Sequence, residues 1–87
     1  MINVDINNQL VSRVAETLIF LSENPKSSIR NISRVLNIDY NYVAKIVEKC
    51  EGQNILKTEM VARERQVVLT KKGMNIADNL KAVKKLL

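Results

Sequence analysis

Two short apolar-periodic segments, three residues apart, constrain this chain more than any other feature. The first opens at Ser28 and carries Ile29, Ile32, Val35 and Leu36 on one face; the second opens after Asp39 and carries Val43, Ile46, Val47 and Cys50. Each pattern is the stripe of an amphipathic helix. Ser28 and Asp39 have side-chain oxygens suited to accept from the free N–H groups of a helix start. Asn37, between the segments, tolerates left-handed backbone. Helices this close in sequence pack at a steep angle when three conditions are met. A small residue must lie at the crossing, the turn must accept positive φ, and the second helix must turn an aliphatic residue back into the core. Ser33, Asn37 and Val43 meet these conditions in order. Ile32, Leu36, Ile38, Ile46 and Val47 supply the other inward contacts, and Gly52 reads as the second helix's C-terminal cap.

The flanking sequence completes the plan. Leu10, Val11, Val14, Leu18 and Leu21, with Ile19 and Phe20, form a wide helical stripe over about Asn7–Glu23, which Pro25 stops. After Gly52 the period changes. Ile55–Met60 and Arg65–Thr70 are β-favouring runs, read as a hairpin with Val61–Glu64 at its tip. Thr70 can cap a last helix running to Leu87, with Ile76, Leu80, Val83 and Leu87 at heptad spacing. The fold class is therefore mainly α with a small β-hairpin (α+β), in the order helix, helix, helix, hairpin, helix. No repeat, low-complexity run or linker divides residues 1–87. A single domain is expected, with a core of about 26–72 and terminal helices of about 7–23 and 71–87.

Composition narrows the function classes. Apolar residues make up 46% of the 87, but aromatics only 3% (Phe20, Tyr40, Tyr42), so the core must be aliphatic. There is no histidine, glycine-rich phosphate loop, cysteine cluster or recognisable pair of catalytic acids. No catalytic residue, metal or cofactor is expected, and the protein is not read as an enzyme. The single cysteine, Cys50, falls on an inward face, where a small buried hydrophobe is expected, and suits a reducing compartment. Met60 and Met74 are read as filling the core or its rim. No run of eighteen apolar residues is present, and Met1-Ile2-Asn3-Val4-Asp5 lacks the basic start of a secretory signal. The expected location is cytoplasmic and nucleoid-associated, with no membrane partner. Richness in Ile, Asn and Lys suits an archaeon, a low-GC bacterium or one of their viruses.

Charge is unevenly placed. Residues 1–24 carry one arginine against three acids, a net of −2; residues 25–72 carry ten Lys/Arg against five acids, a net of +5. Residues 73–87 add three lysines against one aspartate, for a total of +5. A basic middle flanked by a mildly acidic first helix points to a polyanion partner.

The segment 28–76 resembles the winged helix-turn-helix domains of the MarR family and related archaeal regulators. The resemblance is carried by Ser28-Ile29-Arg30-Asn31-Ile32-Ser33, Tyr42-Val43-Ala44-Lys45-Ile46-Val47 and Asn54-Ile55-Leu56. It continues through Arg63 and Arg65 to Val67-Val68-Leu69-Thr70-Lys71-Lys72-Gly73, which resembles the family's junction between wing and final helix. Ser33 and Asn37 stand where such patterns usually have Ala and Gly, Cys50 where Leu is frequent, and Asn54 where Gly is frequent. Val61 stands where the family usually has an Asp that braces the wing arginine. Family members are longer and carry further dimerisation helices, so a small-molecule effector is an open question.

The resemblance implies sequence-specific binding of double-stranded DNA by a homodimeric transcription regulator. The third helix would enter the major groove with Tyr40, Asn41, Tyr42, Ala44, Lys45 and Lys49. Arg63 and Arg65 would serve as wing contacts, and Lys26, Ser28, Arg30 and Arg34 as contacts to the DNA backbone. The stripes of Leu10 and Val14, and of Ile76, Leu80, Val83 and Leu87, are read as a two-fold dimer interface. Two other classes compete: a winged-helix module that binds proteins, and an architectural chromatin protein indifferent to sequence.

Overall fold

The computed structural model describes the backbone of residues 4–87 and the side chains of residues 9–87. Met1–Asn3, read above for a leader, lie outside them. Helix α1 (Val4–Glu23) starts three residues before the expected Asn7, because the apolar stripe begins only at Leu10 and cannot register the turns ahead of it. It ends where the backbone N–H and the Nδ2 of Asn24 both donate to the Phe20 carbonyl, at 2.8 and 3.0 Å. Pro25 follows, and Lys26 adopts left-handed backbone (φ 65°).

A two-residue strand, β1 (Ser27–Ser28), comes next, and the sequence reading lacks it. It pairs antiparallel with the hairpin through Ser27↔Val67 and Ser28↔Gln66. Two residues carry no periodicity, and their partner lies about forty positions away, so no local signal marks them. Ser28 then caps α2 (Ile29–Leu36), accepting from the Asn31 N–H at 3.0 Å.

The turn after α2 is closed several times over. Asn37 takes left-handed φ 56°, ψ 48°, and its N–H donates to the Ser33 carbonyl. The Ile38 N–H donates to that same carbonyl at 3.0 Å, while the Ser33 hydroxyl donates to the Ile38 carbonyl. Serine here is more than small: its hydroxyl ties the turn in a way the alanine usual at this place cannot. Val35, expected inward, is instead 56% exposed. An eight-residue helix turns only a narrow face inward, and Ile29 and Ile32 fill it.

Helix α3 (Tyr40–Gly52) starts at Asp39, whose carboxylate accepts from the Asn41 and Tyr42 N–H groups at 3.0 and 3.3 Å. Gly52 is not its left-handed cap: it ends the helix without positive φ, and Asn54 (φ 61°) makes the reversal. The hairpin is β2 (Leu56–Val61) and β3 (Glu64–Leu69), paired in register from Leu56↔Leu69 to Val61↔Glu64. Its tip is two residues rather than the expected four. Ala62 (φ 49°) and Arg63 (φ 69°) both take left-handed backbone, as the tight turn that matches strand twist demands. The sheet order is β1-β3-β2.

Helix α4 (Lys71–Leu86) is pinned at its start. Thr70 accepts from the Gly73 N–H at 3.1 Å, and its hydroxyl donates to the Asn54 and Ile55 carbonyls at 2.7 and 2.9 Å. The Thr70 N–H also donates to the Ile55 carbonyl, and Lys72 Nζ donates to that of Gln53. Gly73 is required by this approach, since a β-carbon there would lie 1.9 Å from the Ile55 oxygen.

Leu18, Leu21, Ile29, Ile32, Ile38, Val43, Ile46, Val47, Cys50, Leu56, Val67 and Ala77 form the core. Helix α4 folds back along α1. Leu10, Val14, Ile76 and Leu80, read as interface residues, are half-buried against this core. Val83 and Leu87 are exposed, as is Leu86. Met60 and Met74, expected to fill the core or its rim, are also exposed. Cys50 is buried as expected, and burial raises its thiol above the ordinary value, with Lys49 opposing more weakly.

Candidate nucleic-acid interface

The start of α2, the start of α3 and the hairpin tip meet around one shallow cleft of about 280 Å³. Ser28, Ile29 and Arg30 line it from α2, Tyr40 from α3, and Arg63, Glu64 and Arg65 from the hairpin. The local folding explains the convergence. Ser28 belongs both to β1 and to the cap of α2, so the start of α2 is hydrogen-bonded to β3 through Ser28↔Gln66. Arg65 lies two residues before the buried Val67 on the same strand, so it extends the core face outward past the last covered position. The left-handed pair at the tip sets Arg63 beside it. Three guanidiniums and one carboxylate border the cleft, next to the partial positive charge of a helix start.

Beside the cleft, α3 presents its uncovered side. With Val43, Ile46, Val47 and Cys50 buried, the outward ridge is Asn41, Lys45 and Glu48, all exposed. Tyr42 and Ala44, expected to face outward with them, are half-buried against the core. Both lie a quarter-turn off the ridge, where neighbouring elements reach them. Lys45, Glu48 and Lys49 border a second hollow of about 630 Å³, with Leu10 and Tyr42 on its wall.

The structure therefore gathers Ser28, Arg30, Tyr40, Arg63 and Arg65 in one place, and Lys45 with Lys49 in another. Lys26, in its left-handed turn, and Arg34, which donates to Asn31 Oδ1 at 3.1 Å, are exposed and line neither. Glu64 was not foreseen. Its place in the cleft follows from the two-residue tip, which pairs Glu64 with Val61 instead of leaving both in a loop. Among the described residues no group of three or more His, Cys, Asp or Glu could hold a metal ion, and no helix is long and apolar enough to cross a membrane.

No family model matches the sequence, and neither does any curated protein. Solved structures do match. The AF1382 protein of Archaeoglobus fulgidus aligns at TM-score 0.78 and 25% identity, over 86% of this chain and 87% of that one. ZitR of Lactococcus lactis, in its apo form, aligns at TM-score 0.80 and 23% identity over 93% of this chain and 63% of its own. BpsR of Bordetella bronchiseptica, a protein whose DNA binding is regulated by 6-hydroxynicotinic acid, aligns at TM-score 0.78 and 17% identity over 85% of this chain. A MarR family transcription regulator aligns at TM-score 0.79 and 18% identity. The chain spans 58% of BpsR's length and 51% of that regulator's.

Three helices, a paired hairpin and a strand leading into the second helix define a winged helix. It is a MarR-like winged helix, and the solved structures sharing its fold include transcription regulators.

Proposed function

We propose that this chain binds double-stranded DNA with sequence preference, as a homodimer, and regulates transcription. The observation that carries the reading is the arginine-lined cleft between α2 and the wing, set beside the exposed ridge of α3. Arg30, Arg63 and Arg65 would neutralise phosphates, and Tyr40 would donate its hydroxyl to one. Asn41 and Lys45 would meet base edges, since an asparagine can pair with adenine and a lysine with guanine in the major groove. Tyr42 and Ala44 would pack behind that ridge, with Lys49, Lys26, Arg34 and Ser28 as outer contacts. The dimer would form through α1 and α4. Between these helices runs an apolar groove of about 480 Å³, bordered by Ile19, Phe20, Leu80, Val83 and Leu87, and next in sequence to Leu87 is the exposed Leu86. A DNA partner would place the protein in the cytoplasm, with the nucleoid. No catalytic role is proposed.

Salt-titrated binding to random duplex, followed by selection of bound sequences, tests the reading. The three arginines that would meet phosphates should give a log–log salt slope of about −3 per protomer. A two-fold-symmetric selected site supports a dimeric regulator. Equal binding to all duplexes would mark an architectural protein instead. Absence of binding at low salt would mark a protein-binding module. Lys45→Ala should weaken binding and relax preference, whereas Arg63→Ala should weaken all duplexes alike.

A further inference from the structure

The outward ridge of α3 ends in an acid, Glu48. Three acids sit on or at this helix, and two have structural work. Asp39 caps the first turn, and Glu51 accepts from the Thr58 hydroxyl at 3.1 Å. Glu48 has none: among the described residues it forms no ion pair, although Lys45 and Lys49 are its neighbours in sequence. It is exposed, it shares the ridge with Asn41 and Lys45, and nothing in the fold requires a carboxylate there. On a face that meets phosphates, an idle carboxylate only repels. A carboxylate does have one favourable partner in the major groove, the amino group of cytosine, from which it can accept.

Building on the DNA-binding reading above, we propose that Glu48 determines sequence specificity by accepting from a cytosine amino group. Asn41 and Glu48 are separated along the helix axis by about 10 Å, a length over which a helix lying obliquely in the major groove spans about two to three base-pair steps. Glu48 therefore fixes a C·G pair about two to three steps from the base that Asn41 meets, with Lys45 between them. The repulsion that Glu48 exerts on every other sequence widens the gap between the chosen site and random DNA.

The test compares the parent with Glu48→Ala and Glu48→Gln, in full-length protein, by binding selection and by affinity for the selected site and for random duplex. Thermal melts confirm that the exposed substitutions leave folding intact. The expected result is that Glu48→Ala binds the selected site about tenfold or more weakly, binds random duplex at least as tightly as the parent and no longer enriches the C·G pair, while Glu48→Gln, whose amide oxygen still accepts, keeps part of that preference. Tighter binding to both duplexes by the same factor, with the same enriched sequence, would show that the carboxylate merely repels and would overturn the proposal. Selection of a site without an invariant C·G pair at this spacing would overturn it too. A parent that binds no duplex would instead remove the DNA-binding reading on which the proposal rests.

Discussion

Gly73 and Gly52 show how one residue type can be indispensable at one position and dispensable at another. A β-carbon at Gly73 would collide with the Ile55 backbone oxygen, whereas one at Gly52 would meet nothing within 4 Å. Gly73→Ala should therefore destabilise by about 3 kcal/mol or more, and Gly52→Ala should stabilise by about 0.5–1 kcal/mol; denaturant melts of both decide. Cys50 gives a pH-dependent prediction. Burial raises its thiol above the ordinary value of 9.0, so the neutral form is favoured in the fold. The stability that this thiol contributes is present below pH 9.0 and is lost as pH rises through the raised value. Cys50→Ala should lose less stability than the parent as pH rises above 9.0, as measured by melts on either side of that value. The caps at Ser28, Asn37, Asp39 and Thr70 are legible in the sequence because capping is chemistry between near neighbours. Gly52 is misread because Gly and Asn both suit a left-handed reversal, and only packing of Ile55 decides that Asn54 makes it.

At the scale of elements, the hairpin tip concentrates conformational cost. Two successive non-glycine residues in left-handed backbone each cost roughly 1 kcal/mol. Ala62→Asn keeps Arg63 in place and puts a residue suited to that conformation first in the turn. It should raise stability by about 0.5–1 kcal/mol and leave duplex affinity unchanged, read by melts and by binding. A large loss of affinity would show that Ala62 itself touches DNA. The strands are visible in the sequence as β-favouring runs, but their limits are not. Whether the tip holds two residues or four depends on the pairing of Val61 with Glu64, a matter of register. Burial on short helices is equally hidden: Val35 has the spacing of a core residue, yet the narrow inward face of α2 is filled by Ile29 and Ile32 and leaves it outside.

For the whole molecule, the decisive question is what covers the ends of α1 and α4. Val83, Leu86 and Leu87 leave an apolar surface that a small monomer rarely tolerates. Val83→Glu combined with Leu86→Glu should leave the fold intact, because neither side chain is in the core, and should convert a dimer to a monomer in light scattering. If the dimer sets half-site spacing, the same variant should bind a two-fold site far more weakly than the parent while keeping its salt slope per protomer. A parent that is monomeric at all concentrations would dispose of the dimer. The sequence shows both stripes. It does not show that Ile76 and Leu80 are already half-covered by the chain's own core, because that depends on α4 folding back along α1.

The stitch between Ile55 and Thr70 has a consequence for how such a molecule can change over generations. Both roots of the wing are fastened to each other before the first strand residue and after the last, so the length of the ribbon between them is decoupled from the rest. Lengthening a loop whose ends are already held costs only about 0.6 kcal/mol per doubling. Descendants of this chain could remodel the ribbon, and with it the stretch of surface it reaches, without touching the helices that carry the rest of the fold.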